Sequence, residues 1–334
     1  MRAIRAIENG YTPLIFAFVA GACGGQRDAV PSSTPPTDSL RNLETATNGR
    51  LVDAINAHDA KAVAAVYAED AVITIPGSWI HEGRARGRAE IELNARQFFD
   101  AFEESKFWLS RIWVEREVAA LEYGWRGTAR GEPAGAVGLM LVAYDHDGRI
   151  SRENCYLDLN TVLAQIHLAG GGARPVPAPA ASTEVLIAKG TRGEDENLAI
   201  AGALNGAIAS KREADFLAPL TDDFEWDEYN KVEPLKGKGA AKASFEGFIR
   251  AFPDGKSAIT THFAAGDYVI QETSFTGTQT GELGPIAATK KPVHLHRVDV
   301  FRLENGKVIR AWAYENSVEL MAQLGLFRPP PLGE

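Results

Sequence analysis

The residues best suited to chemistry lie two apart on the last predicted strand of each half of the chain. They are Asn154, Tyr156 and Asp158 in the first half, and Trp312, Tyr314 and Asn316 in the second. Residues two apart share one face of a strand, so each set would point into the same space. Burial raises the pKa of a carboxyl group toward neutrality, where it can act as a general acid or base. Asp158 could do this, with Tyr156 beside it, whereas Asn316 cannot take up a proton.

Asp158 and Asn316 also have a structural interpretation. Each directly precedes a short predicted helix, at residues 159–166 and 317–324, and Asp and Asn are both strong N-cap residues. A cap needs only an acceptor oxygen, which both side chains supply. The presence of Asp in one half and Asn at the same position in the other therefore favours a capping role. The sequence leaves the catalytic and the capping role of Asp158 open.

Asp299 is the second candidate carboxylate, and Tyr314 is its candidate hydroxyl partner. It lies between two valines on a predicted strand. An aspartate among apolar neighbours is costly unless it is paired, which makes Asp299 a candidate for a pocket. Pairing with Arg297 or with a backbone group would give it a structural role instead. Counting back 158 residues gives Leu141, so neither half holds both candidate carboxylates.

The histidines and tryptophans give further candidates. His294 and His296 are two apart on a strand, a spacing that could chelate a metal, but we expect solvated side chains and no metal site. Besides Asn154, Trp312 and Asn316, four residues are predicted to line a ligand pocket: Trp79, His81, Trp226 and His262. Cys155 lies in an apolar strand, which predicts a buried and inert thiol.

An internal repeat relates the two halves. Three pairs of residues are 158 apart: Gly148 and Gly306, Tyr156 and Tyr314, Gln165 and Gln323. One offset shared by separated positions predicts two copies of one domain. We place the copies at residues 40–167 and 195–327, joined by a Pro-, Ala- and Gly-rich linker over 168–194 and followed by a tail at 328–334.

The order of predicted elements is the same in both copies. Apolar residues at helical spacing come first, and β-rich runs with turn signals such as Asn305-Gly306 follow. Helices followed by antiparallel strands predict an α+β fold, with helices packed on one side of a bent sheet.

Several segments of the second copy resemble the SnoaL-like polyketide cyclases. They are residues 275–283, 298–308 and 323–326, together with Trp312. The first copy matches more loosely, through residues 127–132 and 147–150, and has Asn154 where the second has Trp312. The superfamily includes nuclear transport factor two and ketosteroid isomerase. The resemblance implies two cone-shaped α+β-barrel domains, each with its N-terminal helices on the concave side of the sheet.

The resemblance also carries expectations about function. In this superfamily the last strand lines an apolar pocket and an acidic residue near its end is a recurrent acid or base, a position that Asp158 matches. A polar residue is common at the position of Asp299. A cofactor-free cyclase or isomerase acting on a small apolar carbonyl compound is therefore implied. The alternative is a non-catalytic exported protein that binds a hydrophobic ligand or a partner protein. Members commonly pair through the outer face of the sheet, so the two copies could pair within one chain or form a homo-oligomer.

Composition and the N-terminus limit the partners and the location. The net charge of −9 and the lack of a basic run disfavour nucleic acid. Residues 1–23 resemble a bacterial lipoprotein signal, in which an apolar run over 11–20 precedes small residues and Cys23. Lipidation of Cys23 would anchor the exported chain to a membrane through a flexible tether at residues 24–39.

Overall fold

A computed structural model describes residues 38–78, 83–170 and 172–327. The predicted signal segment with Cys23, nearly all of the tether, Trp79, His81 and the tail lie outside the described residues. Within the described residues, no helix combines the length and the apolar character needed to cross a membrane.

Domain one has four helices and six strands of its own. The helices are α1 (Asp38–Asn56), α2 (Ala60–Ala65), α3 (Gly87–Ala101) and α4 (Leu159–Gln165). The strands are β1 (Tyr67–Thr74), β2 (Arg84–Arg86), β3 (Glu103–Glu115), β4 (Val118–Ala129), β5 (Glu132–Tyr144) and β6 (Ile150–Leu157). A further strand, β7 (Glu184–Ile187), completes a sheet of order β2-β1-β6-β5-β4-β3-β7. Its pairs are antiparallel except β1 with β6 and β3 with β7.

Domain two repeats this order. The helices are α5 (Arg192–Ser210), α6 (Glu213–Leu217), α7 (Gly237–Ala251) and α8 (Ser317–Gln323). The strands are β8 (Leu220–Glu228), β9 (Leu235–Lys236), β10 (Lys256–Ala265), β11 (Tyr268–Thr278), β12 (Pro292–Glu304) and β13 (Lys307–Glu315). They form a sheet of order β10-β11-β12-β13-β8-β9. The prediction of two cone-shaped α+β domains is confirmed.

Each sheet buries both of its faces. On the concave side of domain one, Leu51 of α1 and Ile91 of α3 pack with strand residues such as Met140 and Cys155. On the other side, residues that alternate with these contact domain two in one shared apolar cluster, here called the interdomain core. Its fully buried members include Trp113, Leu139, Phe263, Val298 and Tyr314.

The predicted linker is partly ordered into the fold. Its segment Glu184–Ile187 forms β7, which pairs in parallel with β3, and α5 already begins at Arg192. Arg174 donates from Nε to the carbonyl of Lys231, 2.6 Å away, and pairs with Asp227. The linker therefore connects the sheet of domain one to the surface of domain two.

The repeated glycines and glutamines have structural roles. Gly148 and Gly306 lie in hairpin turns with φ of 70° and 72°, a region that favours glycine. The side-chain amide of Gln165 bonds both the N–H and the carbonyl of Gly135, and that of Gln323 does the same at His294. Each glutamine thus ties the C-terminal helix of its domain to the neighbouring strand.

The hairpin before the last strand changes the register between the copies. Six positions separate Tyr144 from Ile150 and five separate Leu303 from Val308, so the offset is 158 on β6 and β13 but 159 on β5 and β12. The equivalent of Asp299 is therefore Met140, and the assignment of Leu141 was wrong by one residue. Both residues are apolar, so domain one still lacks a carboxylate there.

Candidate functional site

Domain one encloses a largely apolar cavity of about 230 Å³ between its helices and the concave face of its sheet. One wall is aromatic: Phe98 of α3 and Phe102, which directly follows that helix, pack against Trp125, with ring centroids 5.2 Å and 4.5 Å away. β6 forms another part of the lining, where it presents Glu153, Cys155 and Leu157. A small apolar molecule in this space would meet one carboxyl group.

That carboxyl group belongs to Glu153, which is 4% exposed. Its Oε2 accepts a hydrogen bond of 2.7 Å from the Tyr67 hydroxyl, and no described residue bonds its Oε1. Burial raises the pKa of Glu153 to about 7, while the Tyr67 hydrogen bond acts in the opposite direction. Near neutral pH the group therefore exists in both protonation states, which suits proton transfer in either direction.

The local fold positions this pair. Tyr67 begins β1 and lies opposite Ile150 at the start of β6, while Ile73 further along β1 lies opposite Glu153. The register shifts between Tyr67 and Val72, and the Tyr67 hydroxyl bonds Glu153 across this strand pair. Burial raises the pKa of the Tyr67 phenol well above its usual value, so this side chain remains a neutral donor.

A second hydroxyl borders the same cavity. The Tyr123 hydroxyl and the Cys155 sulfur are 3.2 Å apart, and either can donate. Burial raises the pKa of the Cys155 thiol, so the thiolate does not form near neutral pH. The prediction that Cys155 is buried is confirmed.

Domain two encloses a smaller cavity of about 150 Å³, and Asp299 lines it. Arg297 donates to Asp299 from Nε at 2.9 Å to each carboxylate oxygen and from Nη2 at 2.7 Å to Oδ1. Burial raises the pKa of Asp299 and the Arg297 charge opposes that shift. The guanidinium also lies 4.8 Å from the Trp226 ring centroid and 3.6 Å from carboxylate oxygens of Glu228 and Glu315. Asp299 is thus held in an ion-pair network, with both of its carboxylate oxygens bonded to the Arg297 guanidinium.

Comparison with protein families matches both domains. Residues 200–324 match the family model described as SnoaL-like polyketide cyclase, and residues 49–153 match the one described as SnoaL-like domain. The chain carries two SnoaL-like domains in tandem. Such domains have a cyclase-type fold that binds small molecules.

Solved structures of similar single domains are known. AclR from Streptomyces galilaeus, a proposed hydroxylase, is 23% identical and covers 42% of this chain and 91% of its own, with a TM-score of 0.38. A proposed SnoaL-like polyketide cyclase from Jannaschia sp. CCS1 is 18% identical, with 43% and 99% coverage and a TM-score of 0.39. IdmH from Streptomyces antibioticus, a proposed polyketide cyclase, is 18% identical, with 39% and 98% coverage and a TM-score of 0.35. Among curated proteins, none matches this chain.

The predicted pocket face of each SnoaL-like domain is in fact its interdomain face. The Tyr156 hydroxyl donates to Glu272 Oε1 at 2.8 Å, and Asn154 Nδ2 donates to the same oxygen at 2.7 Å. The Tyr314 hydroxyl donates to Glu122 Oε2 at 2.7 Å, and Trp312 packs in the interdomain core. The prediction that these four residues point into the cavity of their own domain was wrong. Both faces of the last strand are buried, so alternation alone did not tell which face lines the cavity.

Asp158 and Asn316 have the capping role. Asp158 Oδ2 accepts from the N–H of Thr161 at 2.9 Å, and its Oδ1 accepts from the N–H of Ser317 at 3.0 Å. Asn316 Oδ1 accepts at 3.2 Å from the N–H groups of Val318 and Leu159. Each residue therefore caps its own helix and also the first turn of the equivalent helix in the other domain. This geometry contradicts a catalytic role for Asp158 and a ligand-binding role for Asn316.

The remaining candidates are dispersed. Trp226 lines the cavity of domain two. His262 borders a groove between the domains, and burial lowers its pKa. His296 Nδ1 lies 2.7 Å from Glu319 Oε1, a hydrogen bond that raises the pKa of His296. The His294 ring lies beside it, tilted by 49°, with ring centroids 4.5 Å apart. Across the described ranges, no group of three or more His, Cys, Asp or Glu side chains is arranged to hold a metal ion.

Sequence reasoning missed Glu153 and Tyr67. The available signal was a carboxylate on the last strand of the first copy, whose equivalent 158 residues later is Ala311. Tyr67 is likewise replaced by Leu220, since these residues lie opposite Ile150 and Val308. The pair Tyr67 and Glu153 is therefore present in domain one and replaced in domain two. Comparing the two copies at the strand positions that alternate with Asn154 and Tyr156 would have indicated it.

Proposed function

We propose that SnoaL-like domain one is a cofactor-free acid/base catalyst acting on a small, largely apolar carbonyl compound. The observation that carries this proposal is Glu153, a buried carboxyl group with a pKa of about 7, one hydrogen-bonded oxygen and one oxygen without a partner among the described residues, in an apolar cavity. Cyclisation and isomerisation of carbonyl compounds both begin with removal of a proton next to the carbonyl group, which needs such a base.

Each side chain has a role in the proposed step. Glu153 Oε1 removes the proton from the carbon beside the carbonyl, and the electron pair moves to the carbonyl oxygen. When the Cys155 thiol donates to Tyr123, the Tyr123 hydroxyl proton is free to stabilise that oxygen. Glu153 then returns the proton at another atom of the product, so the site ends in its starting state.

For domain two we propose ligand binding without catalysis. Its carboxylate Asp299 is paired with Arg297, and its equivalent of Glu153 is Ala311. The cavity of about 150 Å³ retains Trp226 and several phenylalanines, which suits a small apolar guest.

Hydrogen–deuterium exchange tests the catalytic proposal without knowledge of the product. Small cyclic ketones in D₂O would be followed by NMR, and we expect the protein to accelerate exchange beside the carbonyl. Glu153→Gln should lower that rate by about 10²–10⁴-fold, the usual contribution of a general base.

Glu44 provides a matched control. It lies on α1 outside the cavity, is also 4% exposed, and has its pKa raised to about 7, chiefly by burial and further by Glu117. Glu44→Gln should leave the exchange rate unchanged. Full exchange activity in Glu153→Gln would refute the catalytic proposal. Ketone binding without exchange in the unaltered protein would leave binding as the function of domain one.

We also propose that the chain is exported and lipid-anchored through Cys23, on the basis of the small residues that precede this cysteine. Expression of the full chain in a bacterium with labelled palmitate should give a labelled protein in the membrane fraction. Cys23→Ala should lose both the label and the membrane association. Retention of the unaltered chain in the soluble cytoplasmic fraction would contradict the proposal.

A further inference from the structure

Two buried glutamates occupy equivalent positions where the SnoaL-like domains meet. In domain one, four residues lie side by side on adjacent strands, in the order Arg111, Glu122, Leu139 and Tyr156. In domain two the order is Thr261, Glu272, Val298 and Tyr314. Each glutamate accepts from the tyrosine of the opposite domain, at 2.7 Å for Glu122 and 2.8 Å for Glu272. The interface therefore has an approximate two-fold relation, and the two sites can be compared residue by residue.

The two sites differ in their positive charge. Glu122 forms an ion pair with Arg111, whose guanidinium carbon lies 4.2 Å from the ring centroid of Trp312. At Glu272, the equivalent of Arg111 is Thr261 and the equivalent of Trp312 is Asn154. Glu272 is 6% exposed, and no lysine, arginine or histidine among the described residues forms an ion pair with it.

Glu272 is nevertheless ionised. Burial raises its pKa, but hydrogen bonds from Thr260, Asn154, Tyr156 and Thr261 outweigh that effect and hold it below the usual value. These donors lie 2.6 Å to 2.9 Å from the carboxylate oxygens. They satisfy the hydrogen-bonding capacity of the carboxylate, and none of these four donors carries a positive charge.

A groove of about 860 Å³ borders Glu272 on the side that Arg111 and Trp312 fill at the other site. Four carboxylates and two guanidinium groups line it: Glu115, Glu117, Glu272, Glu319, Arg116 and Arg152. His296 also faces it, and its pKa is raised mainly by Glu319 and less by Glu272. His262 contributes a buried Nε2 that has no hydrogen-bond partner among the described residues. When His296 is neutral, the four carboxylates outnumber the two guanidinium groups, so the lining is negatively charged.

We propose that this groove binds a small organic cation, a guanidinium or primary ammonium compound, whose head group takes the position that Arg111 has at Glu122. The head group would donate to Glu272 in place of the Thr261 hydroxyl, and Glu319 would add a second negative charge beside it. An apolar tail would lie toward Phe263, the equivalent of Trp113. This site is separate from both domain cavities and does not depend on the proposed catalysis.

Titration calorimetry of the full chain with n-butylguanidinium tests this site, with n-butylurea as a neutral probe of similar shape. We expect one site per chain and binding of the cation at least about tenfold tighter than that of the urea. Glu272→Gln should abolish this preference. Glu122→Gln, the equivalent carboxylate with its own arginine, is the matched control and should retain it.

A second variant keeps the test decisive if Glu272→Gln does not fold. Thr261→Arg combined with Asn154→Trp places the internal cation and its aromatic partner in the open groove. It should fold, as judged by circular dichroism and a cooperative melt, and should no longer bind the probe. Equal affinity for the two probes, or unchanged cation binding in either variant, would overturn the proposal.

Discussion

At the scale of single residues, the two cavities differ in the side chain that bonds their buried carboxyl group. Glu153 and Asp299 are both buried, and burial raises the pKa of each. Asp299 faces a guanidinium at 2.7 Å, whereas Glu153 faces a neutral phenol at 2.7 Å. An ion pair fixes the charge of a carboxylate, and a single neutral donor leaves it able to gain and lose a proton. This contrast is the reason why the proposed acid/base chemistry is placed in domain one.

Tyr67→Phe should move the pH dependence of the exchange reaction. The base is active when ionised, so the rate of the unaltered protein should rise with pH and level off above about 7, the pKa of Glu153. Because the Tyr67 hydrogen bond lowers that pKa, its loss should raise the midpoint by about one pH unit. The measurement is the exchange rate between about pH 5 and 9, where most folded proteins are stable.

Tyr314→Phe is the control for this profile. It also removes a tyrosine–glutamate hydrogen bond, but at Glu122 in the interface. Its midpoint should match that of the unaltered protein. A midpoint in Tyr67→Phe that stays in place or falls would exclude Glu153 as the titrating group.

At the scale of elements, the paired C-terminal helices hold the domains together. The caps of α4 and α8 are reciprocal, because Asp158 also accepts from Ser317 and Asn316 also accepts from Leu159. The sequence showed Asp and Asn as interchangeable caps, and this was correct within each helix. That each cap also serves the other helix follows only from the meeting of the two domains.

Asp158→Ala should be more destabilising than the loss of an ordinary cap. It removes acceptors for Thr161 and Ser317 at a buried position, so we expect a cost of about 2–4 kcal/mol in the free energy of unfolding. Asp59 caps α2 through a single bond to Ala62 at 2.9 Å, and Asp59→Ala should cost about 1 kcal/mol. Urea denaturation measures both, and equal costs would contradict the reciprocal arrangement.

At the scale of the whole molecule, the two domains share one apolar core. The interdomain core contains residues of both sheets, including Trp113 and Phe263 at equivalent positions, and is flanked by the two tyrosine–glutamate hydrogen bonds. Separating the domains would expose this core and remove the tyrosine donor from each of two buried carboxylates. The free energy of unfolding of each domain therefore depends on its contact with the other domain.

The unaltered chain should accordingly melt in one calorimetric transition. Tyr156→Phe and Tyr314→Phe should each lower the free energy of unfolding by about 1.5–3 kcal/mol, since each removes a hydrogen bond to a buried carboxylate. The double variant should approach the sum while still melting in one step, because the interdomain core remains. Two separate transitions in the unaltered protein would show that the domains unfold independently.

Sequence by itself determined the duplication, the order of helices and strands, and the α+β fold of both copies. These features are encoded locally, in a constant offset, in the spacing of apolar residues and in turn and cap residues such as Gly306 and Asp158. It also identified Asp299 as a carboxylate inside a cavity. All of these can be read along the chain because each depends on neighbours in sequence.

Only the tertiary structure decided which face of β6 and β13 lines a cavity. Both faces are apolar enough to be buried, one by the helices of its own domain and the other by the second domain, so alternation gives the same pattern for either choice. Packing of the two sheets assigns Tyr156 and Tyr314 to the interface and leaves Glu153 in the cavity. The pKa of that carboxyl group then follows from the contacts around it, with Tyr67 86 residues away in the chain.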